Sequence, residues 1–355
     1  MIWYPRGNLH HSTIRNTQAL ELILGLHSIK TRHRGCAATI GNFDGVHLGH
    51  QHLFASVCQQ AQAHKIPSCV VTFEPLPVEY FAPVEKRPVR LMYLREKYQA
   101  IKNCGIDQLL VLPFNRALAQ TEAEDFIRSV LINGLEVQHL TIGDDFHFGR
   151  NRRGDISMLR QAGADHQFDV EQADTCLYDN QRVSSTRVRA LLQDGNLTDT
   201  TTLLGRHYAL QGRVVYGQQL GRTLNFPTAN INLKGRNPPL RGVFVVEVAM
   251  LEPSSVEQRF TQRQFGIANI GKKPTVDGTH MTLEVHLLDY PEPGSIQEPA
   301  QNGKNNASLY GARLRVSFLQ RLRDEKKFAS LDELKQAIKD DEASARRWLS
   351  DNNSG

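Results

Sequence analysis

The sequence predicts an α/β protein made of two parts, a doubly wound parallel sheet followed by a mostly antiparallel barrel. Three observations carry that expectation. The chain has 355 residues, more than one hydrophobic core usually holds, so two domains are expected. From residue 36 to about residue 143, short β-rich runs alternate with longer helical stretches, the rhythm of βαβ units. Beyond residue 197 the segments are short and extended with no helices between them. Hydrophobic residues make up 40% and charged residues 22% of the chain, which excludes a disordered or fibrous protein.

Taken in order, residues 1–20 show no period and are expected to be a disordered extension, with a first domain over 21–197 and a second over 198–355. The apolar run Ala19 to Leu26 is short and carries Glu21, so neither a secretory leader nor a membrane span is expected. Strands are predicted at Cys36–Ile40, Ser68–Phe73, Gln108–Leu112 and His139–Ile142. Helices are predicted at Gly49–His64, Leu91–Cys104 and Thr121–Leu131, the last opened by a Thr121/Glu124 capping box. In such sheets ligands sit beyond the carboxyl ends of the strands, so loops 41–50 and 143–155 fall on the ligand face. A helical stretch Arg187–Gln193 runs into Asp194-Gly195-Asn196, a turn cluster that marks the domain boundary. Strand-like segments follow at Tyr208–Tyr216, Gly242–Met250, Gln264–Ile270, Thr282–Tyr290 and Arg313–Leu319. A helix is expected from Leu331 to about Ile338. Pro291–Ser308, rich in Pro, Gly and Asn, reads as a long loop.

The 42 Lys and Arg against 37 Asp and Glu give a net charge of +5. That mild excess suits anionic small molecules and is too scattered to call for nucleic acid. Five cysteines, Cys36, Cys58, Cys69, Cys104 and Cys176, are an odd number without a CxxC pair. Neither a disulfide framework nor a zinc site is indicated, and a cytoplasmic location is expected.

The run Thr39 to Phe54, TIGNFDGVHLGHQHLF, places a strand end, a glycine turn and two histidines three apart at the start of a helix. Gly41, Gly45 and Gly49 allow close backbone approach, and a helix N-terminus offers free N–H groups and positive dipole, so phosphate is the natural guest. His47 and His50 can then steady the charge that builds on a leaving pyrophosphate, which is adenylyl-transfer chemistry. The bland alternative, cap or core histidines, is outweighed by the combined spacing. Val183 to Arg189, VSSTRVR, adds hydroxyls and arginines at another helix start, although Ser and Thr are also ordinary caps. In Ile142 to Asp155, Phe146 and Phe148 could stack on a flat ring that Asp145 orients, or could simply pack.

In the second half, Gly217 to Ile231, GQQLGRTLNFPTANI, is a glycine-bearing loop with Arg222 that runs into an extended segment. Thr228 and Asn230, two apart, share one face and offer hard oxygen donors suited to Mg²⁺; an ordinary turn is the competing reading. On the strand Thr282–Tyr290, Glu284 and His286 alternate onto one face while Leu283, Val285 and Leu287 take the other. A strand-borne carboxylate is well placed to accept a proton from an alcohol attacking the γ-phosphorus of ATP. The charged stretch Arg321 to Trp348 reads mainly as a solvated helix face.

GNFDGVHLGH, TFEP, GDDFHFG, SSTRVR, GRTLNFPTAN and EVHLLDY, in this order and spacing, resemble the prokaryotic bifunctional riboflavin kinase/FAD synthetase family over roughly residues 21 to 348. The resemblance implies a Rossmann-like nucleotidyltransferase domain that joins the AMP of ATP to FMN. It also implies a six-stranded antiparallel barrel with a C-terminal helix that phosphorylates riboflavin. Magnesium and the co-substrate ATP are implied at both sites, with monomeric or weakly homo-oligomeric behaviour expected. By matching position, Gly41, Asn42, Phe43, Asp44, Gly45, His47 and His50 would line the ATP phosphates, with Ser185, Thr186 and Arg189 completing that pocket. Asp145, Phe146 and Phe148 would face the flavin. In the kinase half, Gly217, Gly221, Arg222, Thr228 and Asn230 would contact nucleotide, Thr228 and Asn230 also the metal. Glu284 would be the base, and Arg323, Glu325 and Phe328 would lie near the flavin.

The sequence departs from the family pattern at Leu76, where a histidine is common, at Asn225 and Ser308, and in the longer 291–308 loop. The HxGH spacing alone also occurs in class I aminoacyl-tRNA synthetases and in pantetheine-phosphate or nicotinamide-mononucleotide adenylyltransferases, which lack the downstream PTAN segment and strand-borne Glu. A flavin-sensing or RNA-binding regulator with decayed sites is the reading of another class, and retention of His47, His50, Thr228, Asn230 and Glu284 weighs against it.

Overall fold

The computed structural model describes residues 19–83, 86–216, 228–251, 260–275, 278–289 and 309–352. They fall into two compact units, one drawn from Met1–Arg87 and Lys97–Cys176, the other from Pro88–Glu96 and Leu177–Gly355.

In chain order the elements from the first unit onward are β1 (Glu21–Leu24), β2 (Ala37–Ile40), α1 (Leu48–His64), β3 (Ser68–Glu74), α2 (Pro77–Phe81), α3 (Leu94–Lys102), β4 (Gln108–Pro113), α4 (Arg116–Ala119), α5 (Ala123–Phe126), β5 (His139–Ile142), α6 (Ile156–His166) and β6 (Asp169–Gln172). The sheet order is β1-β4-β3-β2-β5-β6, and every pairing is parallel. β2 and β5 are buried at all four positions and β3 at six of seven, as a sheet covered on both faces requires. The edge strands β1 and β6 are half solvated; β1 lies within the short apolar run Ala19–Leu26, which does not read as a strand, and β6 carries no apolar run. β3 and β4 lie on one side of β2 while β5 returns on its other side. The β2/β5 boundary is therefore the point where the strand order reverses, and ligands of such sheets bind beyond the carboxyl ends of the strands there.

The Thr121/Glu124 capping box is not formed. The helix starts at Ala123 after Glu122, without a side-chain cap, and Thr121 Oγ1 instead donates to the Ala117 carbonyl at 2.9 Å. Past Phe126 the backbone widens into a π-helix over Ile127–Ile132, which keeps Ile127, Val130 and Leu131 buried.

The second unit contains the hairpin β7 (Leu177–Tyr178) and β8 (Gln181–Arg182), then α7 (Ser185–Gln193) and α8 (Leu197–Leu204). The barrel strands follow: β9 (Ala209–Val215), β10 (Thr228–Asn232), β11 (Gly242–Leu251), β12 (Phe260–Thr275), β13 (Gly278–Leu287) and β14 (Arg313–Arg323), and α9 (Leu331–Asn352) ends the described chain. The six strands close in the order β10-β13-β12-β11-β14-β9, all antiparallel. Phe244, Val245, Val246, Val285 and Phe318 are fully buried in this unit.

The terminal helix is much longer than the expected Leu331 to Ile338. Its charges are not only a solvated face, because two bidentate pairs hold it to the barrel. Arg323 grips Asp341 at 2.9 and 2.8 Å, and Arg346 grips Asp289 at 3.1 and 2.9 Å. Between them, Ala345, Trp348 and Leu349 pack with Val243, Val245, Ile267 and Leu288, and burial of that apolar stripe carries the helix to Asn352.

Candidate active sites

In the first unit, β2 ends at Ile40 and the chain turns through 41–47 into α1. Phe43 and Val46 take left-handed φ values of 45° and 42°, rarely adopted by residues with side chains and concentrated at functional turns. Gly41 is required here, because a Cβ would stand 2.8 Å from the Phe43 ring. Phe43 and Asp44 are themselves buried. Phe43 meets the His50 ring edge-on at 5.2 Å and the Phe54 ring at 4.8 Å. His47 is the N-cap of α1, its Nδ1 accepting from the His50 N–H at 3.4 Å. With Nδ1 an acceptor, the proton of a neutral His47 ring sits on Nε2, which becomes a donor. The two imidazoles stack at 3.6 Å between centroids.

Beneath this loop lies a residue that sequence reasoning passed over. Lys97 is 1% exposed, and its ammonium donates to the Asn42 carbonyl at 2.6 Å and to Thr72 Oγ1 at 3.2 Å. A full charge on the buried face of α3, beside Ile101, is the local signal that could have exposed it.

The second loop of the ligand face, after β5, carries Asp145 and Phe146. Asp145 is exposed and Phe146 half-buried. Phe148 is a core residue at 6% exposure, bridged through its backbone to Gly154. Its ring packs 5.6 Å from Phe126 and 5.5 Å from Phe146, and a Cβ on Gly154 would strike it. Phe148 thus packs in the interior, and Phe146 keeps a half-exposed surface. Leu76 is buried at the start of α2, its N–H donating to Glu79 at 3.1 Å.

Ser185, Thr186 and Arg189 stand on α7, in the second compact unit. The cap of this helix is Ser184, whose hydroxyl accepts from the Arg187 N–H at 3.2 Å. Arg187 also donates to the Tyr178 carbonyl at 2.8 Å, and Arg189 to the Val89 carbonyl at 2.6 Å.

On the barrel, register brings distant residues into one row. Asn230 lies opposite Glu284, Glu284 opposite Asn269, Asn269 opposite Val243 and Val243 opposite Arg323. Adjacent strands are about 4.8 Å apart, so the three polar side chains form a line on the outer surface. Ala229, Ile231, Ala268, Ile270, Leu283 and Val285, the alternating residues, are buried inside. Thr228 pairs with His286 one step along. Asn269 Oδ1 is buried without a hydrogen-bond partner, an arrangement that proteins rarely leave unfilled. Nothing local marks Asn269 in the sequence, because only strand pairing carries it to Glu284.

Arg323, Glu325 and Phe328 are also neighbours of this row. The Arg323 guanidinium lies 5.6 Å from the Phe328 ring centroid while engaged with Asp341, and Glu325 lies so close to Gly271 that any Cβ there would collide with its carboxylate. Gly217, Gly221, Arg222, Asn225, Ser308 and the 291–308 loop lie outside the described residues, as do residues 1–18.

Comparison with known proteins also divides the chain in two, with the first family match reaching past Cys176 through the start of α7. Residues 29–187 match the FAD synthetase family and residues 204–349 the riboflavin kinase family. A bifunctional riboflavin kinase/FMN adenylyltransferase of Pseudomonas fluorescens is 45% identical over 92% of this chain and 97% of that protein. Its counterpart in Escherichia coli (strain K12) is 41% identical over 93% and 98%. The chain belongs to this bifunctional family. It is a transferase whose FMN adenylyltransferase part precedes its riboflavin kinase part, the order in which the imidazole pair and the Glu284 row occur. A solved structure titled a macrolide-efflux protein, from Streptococcus pneumoniae, shares the fold over 93% of this chain and 99% of that one, with 28% identity and a TM-score of 0.76. Among the described residues no helix is long and apolar enough to cross a membrane. ATP as co-substrate is consistent with both parts of the family.

Proposed function

We propose that the two constellations are the two reaction centres of this bifunctional transferase, with domains meeting near residue 197. At the first, an FMN phosphate oxygen attacks the α-phosphorus of ATP and pyrophosphate leaves. Gly41, Asn42, Phe43, Asp44 and Gly45 shape the backbone that receives the phosphates at the start of α1. The Nε2–H of His47, with His50 stacked on it, steadies the charge that grows on the leaving group. Ser185, Thr186 and Arg189 contribute further ATP contacts, and Asp145 with Phe146 faces the flavin.

At the second centre, the terminal ribityl hydroxyl of riboflavin attacks the γ-phosphorus of ATP while Glu284 takes its proton. Thr228 and Asn230 are hard oxygen donors beside a carboxylate, a donor set that fits magnesium. Magnesium, when bound, neutralises phosphate charge and polarises the phosphorus. Gly217, Gly221 and Arg222 belong to the nucleotide loop, and Arg323, Glu325 and Phe328 border the flavin. Asn269, with its unpartnered Oδ1 beside Glu284, is placed to take a ribityl hydroxyl and hold it against the base. The working enzyme is cytoplasmic and monomeric or weakly homo-oligomeric, and acts on small molecules without nucleic acid.

The observation that carries this reading is the pairing of Asn230 with Glu284 across β10 and β13, because a strand register fixes a base beside a phosphate ligand without any loop movement. One reaction tests it. Purified protein with riboflavin, ATP and magnesium should yield FMN followed by FAD on chromatography. FAD formed only from added FMN would refute the second centre, and absence of both products would favour a flavin binder.

A further inference from the structure

The barrel carries a second charged feature, on β9 and β14. Arg213 and Arg313 are directly opposite each other in the register, a like-charge cross-strand pair of the kind that ordinarily destabilises a sheet. Arg236, held at 2.6 Å by Glu96, donates to the Gln211 carbonyl two residues from Arg213 and stacks 4.1 Å over the Tyr93 ring. Arg95 joins from the start of α3. Burial and the nearby charges of Arg95, Arg213 and Arg236 hold the Arg313 guanidinium below its usual proton affinity, and Glu96 is the carboxylate that opposes them.

Three further guanidiniums thus act on Arg313, and the carboxylate that opposes them, Glu96, is already paired with Arg236. Among the described residues, Arg95, Arg213 and Arg313 form no ion pair. The sequence around them offers no relief. From residue 200 to residue 246 there is no Asp or Glu, while Arg206, Arg213, Arg222, Lys234, Arg236 and Arg241 all lie in that span. At the chain's average of 37 acids in 355 residues, about five would stand there. Repulsion of this kind is retained at a cost unless a mobile anion removes it.

We infer that Arg95, Arg213 and Arg313 form an anion site for a phosphate or diphosphate group of a small molecule. Guanidinium forks match phosphate oxygens in pairs. The site centres on one cross-strand position, with the charge of Arg95 acting on it from α3, which suits a single phosphate group. Arg213 also lies opposite Asn232, two residues along β10 from Asn230 and so on the same outer face, about 7 Å away along the strand.

The test is thermal unfolding of the full chain at fixed low ionic strength, with inorganic phosphate, pyrophosphate, or chloride as the control. At about ten times the dissociation constant the native chain should melt about 2 °C higher with the phosphate anion than with chloride. In R213E, which turns the repelling pair into an ion pair, the melting temperature should rise without the anion and the anion response should vanish. R95Q, outside the barrel strands, should also weaken the response, and H47A with H50A should keep it. The larger response of the two anions sets the number of phosphates taken. An R213E chain that responds like the native one, or a response lost with the histidines instead, overturns the site.

Discussion

The two proposed reaction centres are built in opposite ways. The imidazole pair sits on a turn whose backbone is strained at Phe43 and Val46 and held from below by a buried lysine. The carboxylate sits on a regular strand, and its neighbours come from the register of β10, β13 and β12. A loop centre presents backbone N–H groups and a helix N-terminus, which suits a leaving diphosphate. A strand centre presents side chains at fixed intervals, which suits a proton transfer that tolerates little misplacement. The difference teaches that one chain assembles a constellation of polar groups once by local sequence and once by strand pairing.

The largest expected effect breaks one half of this comparison. Glu284→Gln should lower riboflavin phosphorylation by about 10²- to 10⁴-fold and leave adenylylation of supplied FMN intact, as measured by separate product assays. Replacing both His47 and His50 by Ala should do the reverse, slowing FAD formation by about 10²- to 10³-fold; unchanged FAD synthesis would remove the first centre from consideration.

Two variants sharpen it. Lys97→Met removes a charge-assisted bond beneath the loop and should destabilise the first unit by about 1–3 kcal/mol, seen in denaturant unfolding, with adenylylation falling before phosphorylation does. Asn269→Asp sets a second carboxylate beside Glu284 and should move the acid limb of the phosphorylation pH profile up by about one unit. A profile that stays in place would deny Asn269 its position at the base.

The smallest effect concerns the edge of the sheet. Hydrogen bonds from Arg32, and then from His33, lower the Glu21 carboxyl from 4.5 to about 2. A depressed carboxyl stabilises the fold above its unfolded value, so this contribution is complete above pH 4.5 and disappears as pH falls toward 2. The Glu21 side chain is 37% exposed, so solvent screening keeps the gain small. Glu21→Gln should melt slightly below the native chain near neutral pH and merge with it in acid.

Much of this was legible because local chemistry announced it. The histidine spacing, the glycines of 41–49 and the alternation around Glu284 are properties of neighbouring residues. β6 was illegible because its half-solvated edge carries no apolar run, and β1 because the short apolar run Ala19–Leu26 that holds it is interrupted by Glu21 and has no strand period. The length of α9 was illegible because its charges resemble solvent-facing ones until Arg323 and Asp289 are seen to meet Asp341 and Arg346. Phe148 lay in a loop that suggested stacking, and packing against Phe126 turned it inward.

The sequence by itself determined the class of chemistry, since residue types and short spacings set which protons and charges can be handled. Tertiary structure decided which residues share a centre. Asn269, Lys97 and the Arg213–Arg313 pair lie far in sequence from the residues beside them, and only strand register and burial bring them there.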